Sequence, residues 1–172
     1  MNYNFRKAAH SDKPFIWAIL QQAILRRKKD GSDQWQDGYP NEEVVQRDID
    51  RGIGYVLTID DAVAGYAAII LNDEPAYEKI VGTWLTNGDF YVVHRIAVSD
   101  QFIGQGLGKK ILEFIEVLAK SNNVPSIKVD TNFDNAAMLK TFEKLGYTYC
   151  GEVTFRNSPR KAFEKVVTAD RQ

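Results

Sequence analysis

The pattern of apolar and polar residues changes sharply between residues 90 and 118. Apolar residues run almost without interruption over residues 90–98, which predicts a buried strand. After a short polar turn, apolar residues recur every three or four positions, which predicts an amphipathic helix. The buried face of that helix would consist of Leu107, Ile111, Leu112, Ile115, Leu118 and Ala119.

Two further helices are predicted before this strand. The first follows a cap at Ser11 or Asp12 and ends near Lys29. The second begins at the cap Asn41 and ends by Gly52. Their apolar faces would consist of Phe15, Ile16, Ile19, Leu20, Ala23 and Ile24 in the first helix, and of Val45 and Ile49 in the second.

The remaining strands predict an α/β fold of the α+β type, with a central mixed sheet of about six to seven strands flanked by helices. Residues 126–131 would pair in parallel with residues 90–98, because a strand, a crossover helix and a second strand form a right-handed unit. The other strands are predicted at residues 4–8, 55–59, 64–71, 147–155 and 161–167, with Pro159 in the last connection, a helix over 135–144 before it, and frayed residues at 168–172.

Length and composition indicate one globular domain over residues 1–172. The chain is 44% hydrophobic and 12% aromatic, as is usual for soluble proteins. It has 22 Lys and Arg against 23 Asp and Glu, with a pI of about 6.1. This balance predicts no nucleic-acid partner.

Cysteine and histidine are scarce. Cys150 is the only cysteine, so no internal disulfide is expected. His10 and His94 are the only histidines, and we therefore predict no metal site. Neither a signal peptide nor a long apolar run is apparent, so we expect a cytoplasmic protein without a membrane partner.

Three glycines separate the predicted strand from the amphipathic helix. Gly104, Gly106 and Gly108 let successive backbone N–H groups point toward one concave surface. The start of the helix adds its own unpaired N–H groups and the positive end of its dipole. This loop is therefore predicted to bind phosphate.

Two other phosphate-binding glycine loops do not match. A dinucleotide-binding loop that starts at Gly104 requires a small residue at the position of Lys109. A Walker-type loop requires glycine at the position of Ile103 and a hydroxyl residue at the position of Lys110.

The segment Ile103-Gly104-Gln105-Gly106-Leu107-Gly108-Lys109-Lys110, its preceding strand and residues 135–147 resemble the acetyl-CoA-binding core of GNAT-type N-acetyltransferases. The resemblance implies that acetyl-CoA is the cofactor and that loop amides hold its pyrophosphate. It also implies that the pantetheine arm pairs with the preceding strand. The cofactor-binding residues implied are Ile96, Ala97, Val98, Ile103, Gly104, Gln105, Gly106, Leu107, Gly108, Lys109, Asn132, Asn135 and Phe142.

The chain departs from the family pattern at two positions. Ile103 stands where the family usually has Arg or Gln, and Phe142 stands where many members have a tyrosine that acts as general acid. Asn135 has an alternative role as the N-cap of its helix. Tyr147 is our candidate for the missing acid, with Tyr149, Tyr91 or water as alternatives.

The resemblance also indicates catalytic groups on the predicted central strand. Backbone N–H groups, in particular those of Ile96 and Val98, would polarise the thioester carbonyl. His94 is the candidate general base, because imidazole titrates near neutral pH. The alternatives are a purely structural histidine and a reaction without a dedicated base.

Two predicted connections carry candidate acceptor-binding residues. The loop over residues 30–40 holds Trp35, Gln36 and Tyr39, which line an acceptor pocket or plug the core beneath. The long connection over residues 72–88 holds Glu74 and Tyr77, which either reach the amine or are simply structural.

The sequence therefore predicts an N-acetyltransferase that acts on a small primary amine or an amino-acid-like substrate. Two alternatives stay open: a CoA-binding regulatory module that has lost catalysis, and an enzyme that acetylates proteins or peptides. A homodimer is a further expectation, because a late edge strand often pairs between subunits in such proteins.

Overall fold

The structure is a computed structural model and describes residues 1–167. The predicted fraying of residues 168–172 lies outside the described residues. In chain order, the elements are β1 (Tyr3–Lys7), α1 (Lys13–Lys29), α2 (Glu42–Asp50), β2 (Gly54–Ile59), β3 (Ala62–Leu71), α3 (Pro75–Glu78), β4 (Val81–Gly82), β5 (Tyr91–Val98), α4 (Leu107–Ser121), β6 (Ser126–Thr131), α5 (Ala136–Lys144), β7 (Thr148–Phe155) and β8 (Ser158–Val166).

The strands form a mixed sheet with hydrogen-bonding order β1-β2-β3-β5-β6-β8-β7-β4. A mixed sheet flanked by helices was predicted and is confirmed, with eight strands rather than six or seven. No helix within residues 1–167 has the length and apolar character needed to cross a membrane.

The chain divides into two compact units. The first contains Met1–Ile69 and Arg95–Ile111, and the second contains Ile70–His94 and the residues from Leu112 onward. Strands β3 and β5 each contribute residues to both units. The single domain expected from chain length stays a prediction.

In the first unit, β1, β2 and β3 pair in antiparallel order and α1 and α2 supply the core. The core includes Ile16, Leu20, Val45, Val56 and Tyr66. The helical periodicity that predicted these buried positions is confirmed for both helices. It was wrong for Phe15, whose side chain is 59% exposed because it falls at the edge of the apolar stripe.

The start of α1 differs in detail from the prediction. Asp12 directly precedes the helix, but its carboxylate makes no capping bond to it. It accepts hydrogen bonds from the Ala9 N–H at 2.7 Å and from the Arg6 guanidinium at 2.7 and 3.0 Å. The partly buried ion pair between Arg6 and Asp12 therefore replaces the predicted cap.

In the second unit, the predicted parallel pair is confirmed. Tyr91 pairs with Ile127, and Val92 with Lys128. β6 then pairs with β8, β8 with β7, and β7 with β4, all antiparallel. Pro159 was predicted in the last connection but lies in β8 opposite Thr154, since proline is tolerated near the first residue of a strand.

The connection between β3 and β5 is anchored by buried groups of the second unit. The Glu164 carboxylate on β8 is fully buried and accepts hydrogen bonds from the Leu85 N–H at 2.7 Å and from the Thr86 hydroxyl. Its Oε2 also accepts a bond from the Ser126 hydroxyl at 2.7 Å. These bonds hold the connection in an ordered path, with α3 and β4 as its regular elements.

Candidate active site

The glycine loop of the first unit has the backbone geometry of an anion site. After β5 a short 3₁₀ turn, Asp100–Phe102, leads to Gly104 and Gly106, whose φ angles are +81° and +73°. These angles favour glycine because a Cβ atom is strained there. A Cβ atom placed on Gly104, Gly106 or Gly108 would meet nothing within 4 Å, so the concave side of the loop is open.

The backbone donors of this loop are available to a ligand. The first hydrogen bond of α4 runs from the Lys110 N–H to the Gly106 carbonyl at 3.1 Å. The preceding N–H groups have no protein acceptor among residues 1–167, and unpaired donors at a helix start attract anions. They belong to Gly104, Gly106, Leu107, Gly108 and Lys109.

Helix α1 supports the base of the loop within the first unit. Arg26 donates from Nη2 to the Val98 carbonyl at 2.9 Å and pairs through Nη1 with the Asp100 carboxylate. Gln22, one turn earlier, accepts a hydrogen bond from the Asp100 N–H at 2.9 Å. The loop therefore leaves β5 from a fixed position.

The part of β5 that precedes the loop contains a strained residue. Arg95 has φ +58°, a conformation uncommon for a side chain other than glycine. Its guanidinium donates to both oxygens of Asp48, at 2.9 and 2.7 Å, and to the Tyr39 hydroxyl at 2.6 Å. Asp48 also accepts from the Tyr66 hydroxyl at 2.5 Å. This buried network holds the backbone that carries the Ile96 N–H.

The predicted cofactor residues around this network differ in exposure. Ala97 is buried in the core of the first unit. Ile96 and Val98 are half-buried, and Ile103 is exposed. The open position of Ile103 is compatible with a loop that holds its ligand through main-chain atoms.

Of the predicted acceptor residues, three lie in the first unit. Trp35 is half-buried and packs against the core. The Gln36 amide donates to the carbonyls of Ile24 and Gln34, at 2.9 and 3.1 Å. Tyr39 accepts the bond from Arg95 described above. Trp35 thus packs on the core and Tyr39 is bonded to Arg95 of β5, while the acceptor-pocket role of these residues stays a prediction.

In the second unit, His94 and Glu74 form a close pair. The distance between His94 Nε2 and Glu74 Oε2 is 2.6 Å, and each side chain is 15% exposed. Because a carboxylate only accepts, Nε2 carries the hydrogen and Nδ1 of the neutral ring keeps its lone pair. Nδ1 has no protein partner among residues 1–167, so it is free to take a proton.

Aromatic rings enclose the imidazole of His94. The Tyr77 and Phe155 rings meet it edge to face, at centroid distances of 6.2 and 5.8 Å. The Trp84 indole packs on Tyr77 at 5.0 Å and donates to the Tyr77 carbonyl at 2.8 Å. These contacts fix the orientation of the imidazole and exclude much of the water around it.

Tyr77 is connected to a buried carboxylate. Its hydroxyl donates to Asp130 Oδ2 at 2.6 Å. Burial, and secondarily the negative charge of Asp130, raises the pKa of the Tyr77 phenol well above its usual value. The phenol therefore stays neutral, and its ring packs beside His94.

The predicted cofactor residues that follow β6 also lie in the second unit. Asn132 Oδ1 is buried and has no hydrogen-bond donor among the described residues. Asn135 accepts a bond from the Met138 N–H at 3.2 Å and thereby caps α5. Phe142 is buried against Tyr147 and Phe163, so a role toward the cofactor rests on the resemblance alone.

Tyr147 is buried, and its hydroxyl makes no hydrogen bond within the described residues. Burial, with a smaller contribution from Glu116, raises the pKa of this phenol. A raised pKa makes it a weaker acid. Its assignment as the group that protonates the thiolate therefore stays a prediction.

The structure thus brings together Glu74, Tyr77 and His94, which were predicted on two separate segments. Sequence reasoning missed their neighbours Trp84, Phe155, Asp130 and Arg160. The only available signal was Asp130, a carboxylate in a strand whose residues are mostly buried. Nothing in the spacing of Phe155 and Arg160 indicates that they approach β5.

This chain is similar in sequence to a family of known proteins. The sequence model described as the acetyltransferase (GNAT) family matches residues 17–147. The uncharacterized N-acetyltransferase YesJ of Bacillus subtilis is 26% identical over 168 residues, which cover 95% of this chain and 89% of that protein.

Two solved structures extend the comparison. A GNAT-family acetyltransferase from Streptococcus agalactiae is 36% identical, with 95% of each chain covered and a TM-score of 0.87. An acetyltransferase from Salmonella typhimurium, solved with its cofactor acetyl-CoA, is 16% identical, with 100% of this chain and 98% of that chain covered and a TM-score of 0.70.

Proposed function

Because this chain belongs to the GNAT acetyltransferase family, an acetyl-CoA-dependent family of N-acetyltransferases, we propose that its acceptor is a small molecule with a primary amine. The observation that carries the proposal is the pair formed by His94 and Glu74, enclosed by the rings of Tyr77 and Phe155. Because the imidazole is largely covered, a slender primary amine would reach it more easily than a bulky acceptor would.

The residues present suit the cofactor. The unpaired N–H groups of the glycine loop would hold the pyrophosphate. Acetyl-CoA, when bound, supplies the acetyl thioester. β5 stops pairing with β6 after Val92, which leaves strand edge for an extended chain to add to.

His94 acts as the general base in this proposal. Nδ1 takes one proton from the ammonium group of the acceptor, while Glu74 holds the hydrogen on Nε2 and stabilises the charged ring. The neutral amine then forms the C–N bond and the C–S bond breaks. The second proton released from nitrogen reaches the thiolate through water, or it restores Tyr147 after the Tyr147 hydroxyl has protonated the thiolate.

The backbone of β5 supplies the oxyanion donors. We assign this role to the N–H groups of Ile96 and Val98. Arg95, which directly precedes Ile96, has a strained positive φ angle. The bonds from Arg95 to Asp48 and Tyr39 hold that conformation. Preorganised donors of this kind stabilise charge that develops on the carbonyl oxygen.

The experiment measures thiol release from acetyl-CoA with a panel of amines, polyamines, amino acids and short peptides. We expect turnover on small amines, and His94→Gln should lower kcat about 100-fold or more with unchanged calorimetric affinity for CoA. His10→Gln is the matched control, because His10 is the other histidine and is exposed. Its kcat should equal that of the wild type.

Three outcomes would count against the proposal. Turnover on peptides alone would replace the small-molecule acceptor by a protein. CoA binding without turnover on the whole panel would favour a regulatory module. Wild-type activity in His94→Gln would remove His94 from the mechanism and leave the amine to react without a dedicated base.

A further inference from the structure

Arg160 on β8 is largely covered and lacks the hydrogen bonds that an arginine normally makes. Its side chain is 11% exposed, and its closest partner is Asp130, whose Oδ1 lies 3.6 Å from Nη1. Nε is fully buried and has no acceptor in the described chain. A guanidinium carries five N–H donors, and leaving them unpaired away from water is costly. This group therefore has capacity for an acceptor that the protein does not supply.

Asp130 does not fill that capacity. Its Oδ2 accepts the short bond from the Tyr77 hydroxyl at 2.6 Å, and its carboxylate is almost fully buried. The contact with Arg160 is longer than the 2.7–2.9 Å typical of a charge-assisted hydrogen bond. The Nη2 and Nε groups of Arg160 are therefore available to bind a second anion.

Arg160 and His94 contact the same phenyl ring. The guanidinium carbon of Arg160 lies 5.2 Å from the centre of the Phe155 ring, and the imidazole centre of His94 lies 5.8 Å from it. Glu74 lies on the His94 side of this arrangement, at 2.6 Å from Nε2. The second unit therefore places the negative charge of Glu74 beside His94. The positive charge of Arg160 contacts the same Phe155 ring as His94 does.

We propose that Arg160 binds a carboxylate of the acceptor, so that the enzyme acetylates amino acids. This inference rests on the proposed function and names its substrate class. Glu74 attracts the ammonium group of the amino acid toward His94. The carboxylate of the amino acid accepts hydrogen bonds from Arg160. Phe155 packs against the carbon chain between the two groups and sets the length that fits.

Matched acceptors test the inference. Glycine, β-alanine, 4-aminobutyrate and 6-aminohexanoate are each compared with the corresponding carboxamide, which has the same length and no charge. The wild type should prefer the acid of the best-fitting length by about 10- to 100-fold in kcat/KM, the usual effect of a charge-assisted bond. Arg160→Gln should reduce this acid-to-amide ratio to about one, and Arg160→Lys should restore part of it.

Arg156→Gln is the control for charge alone, because Arg156 is an exposed arginine in the turn that leads to β8. It should keep the wild-type ratio. Calorimetric binding of the same acids and amides, in the presence of CoA, measures recognition without turnover. Thermal unfolding of Arg160→Gln shows whether the variant is folded when the ratios are compared.

Equal kcat/KM for acids and amides in the wild type would overturn the inference while leaving the N-acetyltransferase of small amines intact. An unchanged ratio in Arg160→Gln would also overturn it. If no amine is acetylated, the proposed function fails, and calorimetric binding then tests the carboxylate site by itself. Tighter binding of acids than of amides that depends on Arg160 would support the site. Equal binding of acids and amides would overturn it.

Discussion

Nε2 of His94 donates a hydrogen bond to Oε2 of Glu74 across 2.6 Å, although twenty residues separate them in sequence. Glu74 also caps the short helix α3, through a bond from the Ala76 N–H at 3.3 Å. The carboxylate is thus fixed by its own helix before it meets the imidazole. The pair has the geometry of a base and the group that orients it.

Glu74→Gln should lower kcat for the amine acceptor by about 10- to 100-fold, because the amide keeps the shape of the carboxylate and loses the charge that stabilises the imidazolium ring. The affinity for CoA should not change. Steady-state kinetics and calorimetry make the comparison. Glu78→Gln, an exposed change at the end of the same helix, serves as control. Equal losses of kcat in both variants would show that Glu74 only stabilises α3.

Two glycines of the loop should respond in opposite directions when changed to alanine. Gly106→Ala should destabilise the fold by about 1 kcal/mol, because φ is positive there. Gly108→Ala, inside α4, should stabilise it by about 0.5 kcal/mol, because alanine is the better helix former. Denaturant unfolding measures both values.

The same Gly108→Ala variant tests the phosphate site. Its Cβ atom would project into open space, where we expect the cofactor pyrophosphate. We therefore expect CoA affinity to fall about 10-fold or more, even though stability rises, as measured by calorimetry. Unchanged affinity would show that the pyrophosphate does not lie against this glycine.

Asp48→Ala should cost about 3–5 kcal/mol of folding free energy, because it leaves the buried guanidinium of Arg95 without its carboxylate. Asp50→Ala, on the same helix but with its side chain 54% exposed, should change stability by less than about 0.5 kcal/mol. Chemical denaturation of both variants makes the comparison. Similar small effects would show that other contacts hold Arg95 in its strained conformation.

The pair formed by Arg6 and Asp12 predicts a dependence of stability on pH. The hydrogen bond from Arg6 lowers the pKa of Asp12 below its ordinary value of 3.8 and outweighs the opposing effect of burial. A lowered pKa in the folded state contributes stability above the unfolded value, which is lost as pH falls from about 4 through the folded value. The Tm difference between wild type and Asp12→Asn should therefore shrink below pH 4. A constant difference from pH 7 to pH 3 would contradict this assignment.

The pattern of residues was sufficient to place most elements because it reports which faces are buried. The apolar stripe of α4 is buried at Leu107, Ile111, Leu112 and Ile115, and β6 has the predicted bounds. The cap Asn41 bonds to the Val44 N–H as expected. These features depend on neighbours a few residues apart, which a sequence displays directly.

The glycine loop was also evident from the sequence, since the need for positive φ at Gly104 and Gly106 is local. The assembly of the His94 cluster was not. Glu74, Asp130, Phe155 and Arg160 come from four separate segments, and only strand pairing and the path of the β3–β5 connection bring them together.

The sequence by itself determined the family-specific core: a strand, a glycine loop and a helix, each specified by residues close together in the chain. Tertiary structure alone decided which charged side chains were left with incomplete bonding. The unfilled guanidinium of Arg160 depends on Asp130 being taken by Tyr77. Such competition for partners arises only when distant segments meet in a common buried environment, where every polar group must find an acceptor or a donor.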